Sequence, residues 1–368
     1  MLPTPAKADP SDSPKEESPF RCVHSVGFPH LLQQLGVTVL VTSYQAGKLM
    51  AVRNLEGRIN TLLRSFPGPM GLAIDGQRRL ALGTRTQLWI LQNAPDIAPR
   101  LEPPGRHDAC YLPRQSHVTG NIRGHDIGWA GSELWLVNTL FSCLCTLDAN
   151  YSFVPRWRPP FVTALAADDR CHLNGLAIAD GRPRYVTALG EGDTRESWRA
   201  NKAAGGCLID VANNAVIARG LSMPHSPRLS AGRLWLLDSG TGQLQIVDVS
   251  NGQRQPVAAV PGFTRGLDFF GPYAFVGLSR IRETSTFGGL PIAERIQELR
   301  CGVWVIDIRT GQTVEFLQFE AGIEEIFAVQ VLPGIRYPEI VGFQEETIQG
   351  VFIVPPDNGM SNSSLGKN

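Results

Sequence analysis

A unit of short apolar strands recurs along most of the sequence, and this repeat constrains the fold more than any other feature. In each unit a first strand follows a small or polar residue, and a turn then leads to a second strand and a third. The first strands begin near Gly71, Asp126, Gly175, Ser226, Gly266 and Ile326. Their spacing is roughly 40–60 residues, which is typical of the blades of a β-propeller.

The repeat therefore predicts an all-β fold, a β-propeller. A seventh unit, Val39–Val52, lacks a first strand of its own. Seven blades are the preferred count, and six blades plus a terminal hairpin are the alternative. A β-sandwich is the rival architecture, but it would need no long-range repetition. In the propeller, Leu72, Ile127, Leu176 and Leu267 are expected in inner strands.

The two ends of the chain differ in composition from the rest. Residues 1–20 are rich in Pro, Ser, Lys and Glu, and residues 356–368 are rich in Asn, Ser and Gly. Both tails are expected to be disordered, because such segments bury little apolar surface. Residues 27–355 are expected to form a single propeller domain, since a ring of blades cannot be divided into independent cores. Within it, the pattern of residues 27–36 predicts a helix closed by glycine.

Charge and cysteine content exclude several classes of protein. The chain has 34 basic and 34 acidic residues, so its formal net charge is zero. Neither nucleic acid nor a membrane is expected as a partner, because both attract basic proteins. No apolar run reaches the ~18–20 residues that span a bilayer, and the first twenty residues lack the apolar core of a signal peptide. Seven irregularly spaced cysteines favour buried, reduced thiols and a cytoplasmic location.

Four motifs resemble the hallmarks of an uncharacterised bacterial family, whose members are known only as conserved hypothetical proteins or as a domain of unknown function. They are Tyr44–Leu49 (YQAGKL), Met223–Arg228 (MPHSPR), Gly262–Phe269 (GFTRGLDF) and Gly288–Ile292 (GGLPI). The resemblance covers nearly the whole ordered chain and implies a propeller-like fold, but it carries no agreed activity.

A second, shorter similarity is to the gluconolactonase and strictosidine synthase propellers. It rests on Asn174–Ala177 (NGLA) and on Asp238 with Ser239. In those propellers an Asn and an Asp help to hold a divalent metal at the top of the central channel. The similarity therefore implies a metal at the corresponding place in this chain.

The repeat also maps side chains onto one mouth of the channel. In a blade, the first strand is innermost and begins on the face where the second strand ends. Residues before first strands and after second strands should therefore meet around one opening. The positions before first strands are Met70, His125, Asn174, His225, Arg265 and Glu325, with His172 and Glu324 close by. The second strands end at Tyr44, Gln45, Arg85, Asn138, Thr139, Asp238, Ser239, Ser279 and Arg280.

Three histidines in this set predict two kinds of site. His125, His225 and His172 suit general acid and base catalysis near neutral pH. His125, His225, Glu325 and Asn174 also suit one divalent transition metal, since zinc, iron, manganese and copper all take nitrogen and oxygen ligands. A structural role, in which polar groups satisfy the ends of the inner strands, stays open.

The same opening carries the candidates for substrate binding: Tyr44, Gln45, Arg85, Asn138, Arg228, Asp238, Arg265 and Arg280. Guanidinium groups hold carboxylate or phosphate through two parallel hydrogen bonds, so an anionic ligand is expected. Ion pairing between blades is the structural alternative for these arginines. Residues 190–205 and 280–300 are long insertions after second strands, and we predict that they form lids over the opening.

Together these features predict a propeller enzyme with a site at the channel mouth. Its substrate is expected to be a small polar or anionic molecule, or a peptide side chain. The reaction class stays open between hydrolase, lyase, isomerase and oxidoreductase, because propellers host all of these. The alternative is a non-catalytic platform whose loops bind a peptide or a protein.

Overall fold

The computed structural model describes residues 20–281, 288–342 and 347–354. The predicted tail 356–368, and residues 1–19 of the other predicted tail, lie outside these ranges. The first elements are β1 (Arg21–His24), α1 (Phe28–Leu35), β2 (Val37–Ser43), β3 (Lys48–Leu55), β4 (Arg58–Ser65), β5 (Leu72–Asp75), β6 (Arg79–Gly83), β7 (Gln87–Asn93) and β8 (Ala109–Val118). They are followed by β9 (Gly124–Ala130), β10 (Glu133–Asn138), β11 (Cys143–Asp148), β12 (Tyr151–Trp157), β13 (Leu173–Ala179), β14 (Arg182–Ala188), β15 (Gly206–Asp210) and β16 (Ala215–Leu221).

The rest of the described chain continues the same pattern of strands. Its elements are β17 (Pro224–Ser230), β18 (Arg233–Asp238), β19 (Gln243–Val247), β20 (Arg254–Ala259), β21 (Phe263–Phe270), β22 (Tyr273–Ser279), α2 (Ile292–Arg295), β23 (Gly302–Asp307), β24 (Gln312–Ala321), β25 (Ala328–Pro333), β26 (Pro338–Ile340) and α3 (Thr347–Gly350). Within the described ranges no helix is long and apolar enough to cross a membrane.

The strands form six sheets that stand around a common axis as the blades of a propeller. Blade 1 contains β25, β2, β3 and β4, and blade 2 contains β5 to β8 with β26 on its outer edge. Blades 3, 4 and 5 contain β9–β12, β13–β16 and β17–β20, while blade 6 contains β21–β24 with β1 outermost. The inner strands β25, β5, β9, β13, β17 and β21 contact one another in this order and close the ring. Leu72, Ile127, Leu176 and Leu267 lie in these inner strands, as predicted.

The ring has six blades, so the preferred count of seven is wrong and the alternative holds. The units that begin at Val39 and at Ile326 are parts of one blade, because β2 pairs antiparallel with β25 over Val37–Thr42 and Ala328–Pro333. The expected second strand after Ile326 is instead β26, which pairs parallel with β8 of blade 2. The expected third strand, Val351–Val354, is not in a sheet.

The core lies between neighbouring blades and under the helix that opens the ring. Helix α1 has proline in its first turn and ends at Gly36, whose φ of 64° puts it in the left-handed region that glycine adopts without strain. Its Phe28 and Leu32 are fully buried against blades 1 and 6. Burial of each of these side chains stabilises the folded protein by about 1.5–3 kcal/mol. All seven cysteines are free thiols, and six of them are buried, which agrees with the sequence.

Candidate functional site

Residues at the start of five inner strands enclose a small polar cavity at one mouth of the channel. Its lining includes His125, Asn174, His225, Arg265 and Phe327. Four of these residues belong to the inner strands of blades 3 to 6, and Phe327 directly precedes the inner strand of blade 1. The cavity has a volume of about 10 Å³ for the centre of a water molecule, which is room for about one water.

His125 anchors one ring nitrogen and leaves the other for the cavity. Its Nδ1 lies 2.9 Å from the backbone oxygen of Arg123 and 2.8 Å from Oγ1 of Thr139. Nδ1 must carry the proton, because a carbonyl oxygen can only accept, and Nε2 therefore keeps its lone pair. Thr139 is held in turn, since its hydroxyl donates to the backbone oxygen of Leu173 at 2.5 Å.

His225 repeats this arrangement two blades further round the ring. Its Nδ1 lies 2.8 Å from the backbone oxygen of Met223 and 3.0 Å from Oγ of Ser239. The same reasoning gives Nε2 a free lone pair. Thr139 and Ser239 each come directly after the second strand of their blade, where the sequence places residues of the mouth.

Both of these rings are neutral at physiological pH. Burial lowers the pKa of His125 well below its usual value, and the neighbouring His172 and Arg265 lower it further. Burial likewise lowers the pKa of His225 well below its usual value, followed by the effects of Arg265 and His172. A neutral imidazole with a fixed Nδ1–H is a proton acceptor, or a metal ligand, at Nε2.

His172 lies beside His125, with ring centroids 4.7 Å apart and the planes nearly perpendicular. Its Nδ1 is 2.9 Å from the carboxylate of Asp169, which is 1% exposed and also accepts from Arg123 at 2.9 Å. The indole of Trp198 covers the other side of the ring, at 4.4 Å between centroids. His172 is therefore oriented by a buried carboxylate and capped by an aromatic ring.

Two buried donors at the cavity have no hydrogen-bond partner within the described residues: Nη2 of Arg265 and Nδ2 of Asn174. Arg265 is 8% exposed, lies 3.5 Å above the ring of Phe327 and pairs with Glu325 through Nη1 at 3.2 Å. Burial lowers the pKa of Arg265 to about 10, which still leaves it charged at neutral pH. Asn174 is 3% exposed, and its Oδ1 accepts from Thr187 at 2.6 Å.

The four residues expected to hold a metal differ in what they contact. His125 and His225 line the cavity with free Nε2 atoms. Glu325 pairs with Arg265, and the amide oxygen of Asn174, the atom that would bind a metal, accepts from a hydroxyl. Within the described part of the chain, no group of three or more His, Cys, Asp or Glu side chains is arranged to hold a metal ion.

The arginines predicted to bind substrate occupy three different environments. Arg265 and Arg228 both line the cavity, but Arg228 also forms an ion pair with Asp126 of blade 3 at 2.9 Å. Arg280 donates to the backbone oxygen of Phe319 at 2.7 Å and so secures the end of β24. Arg85 is exposed and lies 5.5 Å from the ring of Tyr44.

The remaining predicted binding residues lie outside the cavity lining. Gln45 accepts a hydrogen bond from the backbone of Glu324 at 3.3 Å. Asn138 is fully buried, and its Oδ1 accepts from the backbone of Phe141 at 3.1 Å. Asp238 lines a separate groove between blades 4 and 5. In both blades the residue after the predicted one, Thr139 or Ser239, is the one that contacts a histidine.

The two long insertions meet at the histidine mouth, as predicted for lids. Trp198 comes from the first insertion, and Leu290 and Ile292 come from the second; residues 282–287 lie outside the described ranges. These side chains form one buried apolar cluster with Met223 and Phe263. Phe263 lies 5.8 Å from the ring of His225, and Trp198 covers His172.

Sequence reasoning missed three contributors to the site: Phe327, Asp169 and Trp198. Phe327, rather than Glu325, directly precedes an inner strand, so a repeat aligned two residues later would have found it. Asp169 has a local signal, because an acid three residues before His172 can reach its Nδ1. Trp198 sits in the predicted lid, but no spacing in the sequence indicates which histidine it covers.

Comparison of the sequence with family models gives one match. Residues 26–341 match the model described as "Domain of unknown function (DUF4915)". The chain belongs to this family. Curated proteins give no match. A family of unknown function and a propeller fold agree with the expectation of an uncharacterised propeller family.

Solved structures share the fold at low sequence identity. A chain from the crystal structure of a nidogen/laminin complex is 9% identical with a TM-score of 0.51, and the match covers 81% of this chain and 99% of that one. A protein of unknown function from Bacteroides caccae is 9% identical with a TM-score of 0.50, and the match covers 80% of this chain and 98% of that one. At such identities the likeness extends to the fold alone.

Proposed function

We propose that the cavity at the channel mouth is the active site of an enzyme that binds the carboxylate of a small molecule and moves a proton on it. The observation that supports this proposal is that unpartnered hydrogen-bond donors and imidazole acceptors line the same small cavity. Arg265 and Asn174 each bring a buried N–H without a partner among the described residues. His125 and His225 bring neutral imidazoles with free Nε2 lone pairs.

The donors suit an anion. Leaving a buried donor without a partner costs about 1–3 kcal/mol, and a carboxylate oxygen would satisfy both Arg265 and Asn174. Glu325 bonds only Nη1 of the guanidinium, at 3.2 Å, and this leaves Nη2 available to a substrate oxygen. The cavity has room for about one water-sized group, so one carboxylate oxygen would enter it and the rest of the substrate would lie under the two insertions.

The acceptors suit proton removal. In the proposed step, Nε2 of a histidine takes a proton from the carbon next to the ketone of a 2-oxo acid, and the C–H electron pair moves onto the ketone oxygen to give an enolate. Arg265 holds the neighbouring carboxylate and stabilises the negative charge of the enolate. The resulting imidazolium returns the proton to the same or a neighbouring carbon. This chemistry belongs to isomerases and lyases, and a positioned base contributes about 10²–10⁴-fold to such steps.

Deuterium exchange tests the proposal without a known substrate. Pyruvate and 2-oxobutanoate would be incubated with the protein in D₂O, and loss of the C3 proton signal would be followed by NMR. We expect faster exchange than without protein, and we expect Arg265→Gln to abolish saturation by the oxo acid. Arg85→Gln is the matched control, since this arginine is exposed on the same face outside the cavity, and its exchange should equal that of the wild type.

Two outcomes would contradict an enzyme of this class. One is exchange at the protein-free rate with both oxo acids, and the other is equal exchange by Arg265→Gln and wild type. His225→Asn separates the roles further, because the amide of asparagine can still donate to Met223. This variant should bind the oxo acid but lose most of the exchange.

A metal-binding site is a second candidate, favoured by the anchoring of the rings. Histidines that bind a metal through Nε2 usually donate Nδ1–H to a carbonyl or carboxylate oxygen, as His125, His172 and His225 do. Two imidazoles bound to one ion place their ring centroids about 5 Å apart, close to the 4.7 Å between His125 and His172. The charge of Arg265 beside these rings disfavours a cation, so this candidate stands second.

Elemental analysis of protein prepared without metal-affinity steps distinguishes the two candidates. A metal site predicts near-stoichiometric zinc, iron, manganese or copper, lost in His172→Asn and kept in Arg265→Gln. Metal below a tenth of the protein concentration, unchanged between these variants, would remove the second candidate and leave the first.

A further inference from the structure

We propose that a groove between blades 4 and 5 binds an amino acid, with its ammonium group on the groove floor and its carboxylate at the rim. The outer groove, as we name it, has a volume of about 640 Å³ and is lined by Ser222, Asp238, Thr241, Gln245, Arg254 and Pro291, among others. This size is within the usual range of small-molecule sites, about 300–1,000 Å³. It shares none of its lining with the cavity at the channel mouth.

The floor of the groove carries a buried carboxylate. Asp238 is 3% exposed, and its Oδ1 accepts from the backbone N–H of Ser222 at 2.7 Å. Its Oδ2 accepts from Thr241 at 2.9 Å and from Gln245 at 3.3 Å. All of these donors are neutral, and within the described residues no cation lies in ion-pair distance of Asp238. Burial raises the pKa of this carboxyl, although the charge of Arg254 acts to lower it, and an ammonium bound at the floor would give the carboxylate a directly bonded cation.

Two more polar atoms on the floor have no partner in the described structure: Oε1 of Gln245 and Oγ of Ser222. Both residues are at least nine-tenths buried, at 4% and 2% exposed. Gly240 leaves room for the Ser222 hydroxyl, because a Cβ at that position would collide with it. The lining of the groove thus offers oxygen acceptors on Asp238, Gln245 and Ser222, and a primary ammonium has three N–H donors to match them.

The rim explains why the ligand carries a carboxylate as well. Arg254 is exposed at the edge of the groove and forms no ion pair within the described residues. Arg219, also at the edge, is already paired with Glu191 at 2.7 Å. A simple diamine would be repelled by Arg254, whereas the carboxylate of an amino acid would pair with it. The ammonium of an amino acid would thus meet Asp238 at the floor, and its carboxylate would meet Arg254 at the rim.

Binding of amino acids tests this site directly. Glycine, 4-aminobutanoate and lysine would be titrated into the protein and followed by chemical shifts and calorimetry. We expect saturable binding of at least one of them. Glycine betaine is the matched probe, because it keeps both charges but has no N–H donor, and it should bind at least about 10-fold more weakly than the best amino acid.

Variants assign the binding to the groove. Asp238→Asn keeps the shape and removes the charge, so we expect at least about a 10-fold loss of affinity. Ser222→Ala should lose about 3- to 10-fold. Arg265→Gln, which is expected to lose carboxylate binding at the channel mouth, should bind amino acids like the wild type, and this separates the groove from the proposed active site. The proposal is overturned if no amino acid saturates the protein, if glycine betaine binds equally well, or if Asp238→Asn keeps full affinity.

Discussion

The channel contains two polar layers that are built from similar residues but differ in how well their hydrogen bonds are satisfied. The mouth layer consists of His125, His172, Asn174, His225 and Arg265. The clasp layer lies further along the same inner strands and consists of Asp126, Arg228 and Asp268. In the mouth layer, donors of Asn174 and Arg265 have no partner within the described residues. In the clasp layer, every member is held by several bonds.

The bonds of the clasp layer cross from blade to blade. Arg228 of blade 5 donates to Asp126 of blade 3 at 2.9 Å, to Leu176 of blade 4 at 2.8 Å and to Leu267 of blade 6 at 3.1 Å. Asp268 of blade 6 accepts from the backbone of Val331 in blade 1 at 2.7 Å. The clasp layer therefore ties five blades together around the axis.

The difference teaches how to separate structural from ligand-binding polar residues in such a channel. Arg228 and Arg265 are both largely buried, with side chains 20% and 10% exposed, and both lie at inner strands and face an acid. Arg228 uses its donors on protein atoms of four blades, whereas Arg265 keeps Nη2 for something else. The number of hydrogen bonds made to the protein, rather than the residue type, therefore assigns Arg228 to the scaffold and Arg265 to a ligand site.

The largest expected effect is the loss of the ion pair in the clasp layer. Asp126→Ala leaves the guanidinium of Arg228 buried without its counter-ion, which typically costs about 3–5 kcal/mol. We expect this loss in the free energy of unfolding, measured by denaturant titration. The double variant Asp126→Leu with Arg228→Met removes both charges and should cost less than Asp126→Ala alone. A loss below about 1 kcal/mol in Asp126→Ala would show that the clasp does not hold the ring.

A smaller, pH-dependent effect is expected for the mouth layer. His225 is 5% exposed and its pKa is lowered in the folded protein, so it stays neutral there while the unfolded chain takes up a proton. Stability is therefore full above the unfolded pKa of about 6.5 and falls by up to about 1.4 kcal/mol per pH unit below it. His225→Asn should reduce the slope of unfolding free energy against pH between about pH 6.5 and 5. An unchanged slope would show that folding does not lower the pKa of His225.

The smallest effect is expected at His125, because its Nδ1 has two hydrogen-bond partners and keeps one when the other is removed. Thr139→Val removes the hydroxyl beside His125 and its bond to Leu173, which should cost about 1 kcal/mol of unfolding free energy. Nδ1 of His125 keeps its bond to Arg123, so the ring tautomer, read from imidazole ¹⁵N shifts, should not change. Thr139→Ser keeps the hydroxyl and serves as the control. A switch of tautomer in Thr139→Val would mean that Thr139, not Arg123, fixes the ring.

The sequence predicts the inner strands well because their small residues and apolar runs repeat with a regular period. It predicts the number of blades poorly, because β2 and β25 lie at opposite ends of the chain and nothing local indicates that they pair. The sequence places both Asn138 and Thr139 at the mouth but does not show which of the two faces it, and Asn138 is the one predicted to bind substrate. Neighbouring side chains point in different directions, and Thr139 is the one that reaches His125.

The sequence predicts Glu325 before the inner strand of blade 1, but Phe327 lines the cavity there, and this difference has another physical cause. The chain between β24 and β25 has no regular secondary structure over residues 323–327. The period-2 rule that places side chains along a strand does not apply there. The contact between Phe327 and Arg265 depends on the path of that segment, which is set by packing between blades 1 and 6.

The shared construction of blade 1 has a consequence for synthesis on the ribosome. β2, β3 and β4 are made early, but the inner strand that completes their sheet begins at Ala328. Every residue of β2 is buried in the finished ring, and its free edge must wait for nearly the whole chain to emerge. An unpaired apolar edge of this kind recruits other strands. Expression at lower temperature, or with chaperones that shield nascent chains, should therefore improve the yield of folded protein more than any change at the mouth.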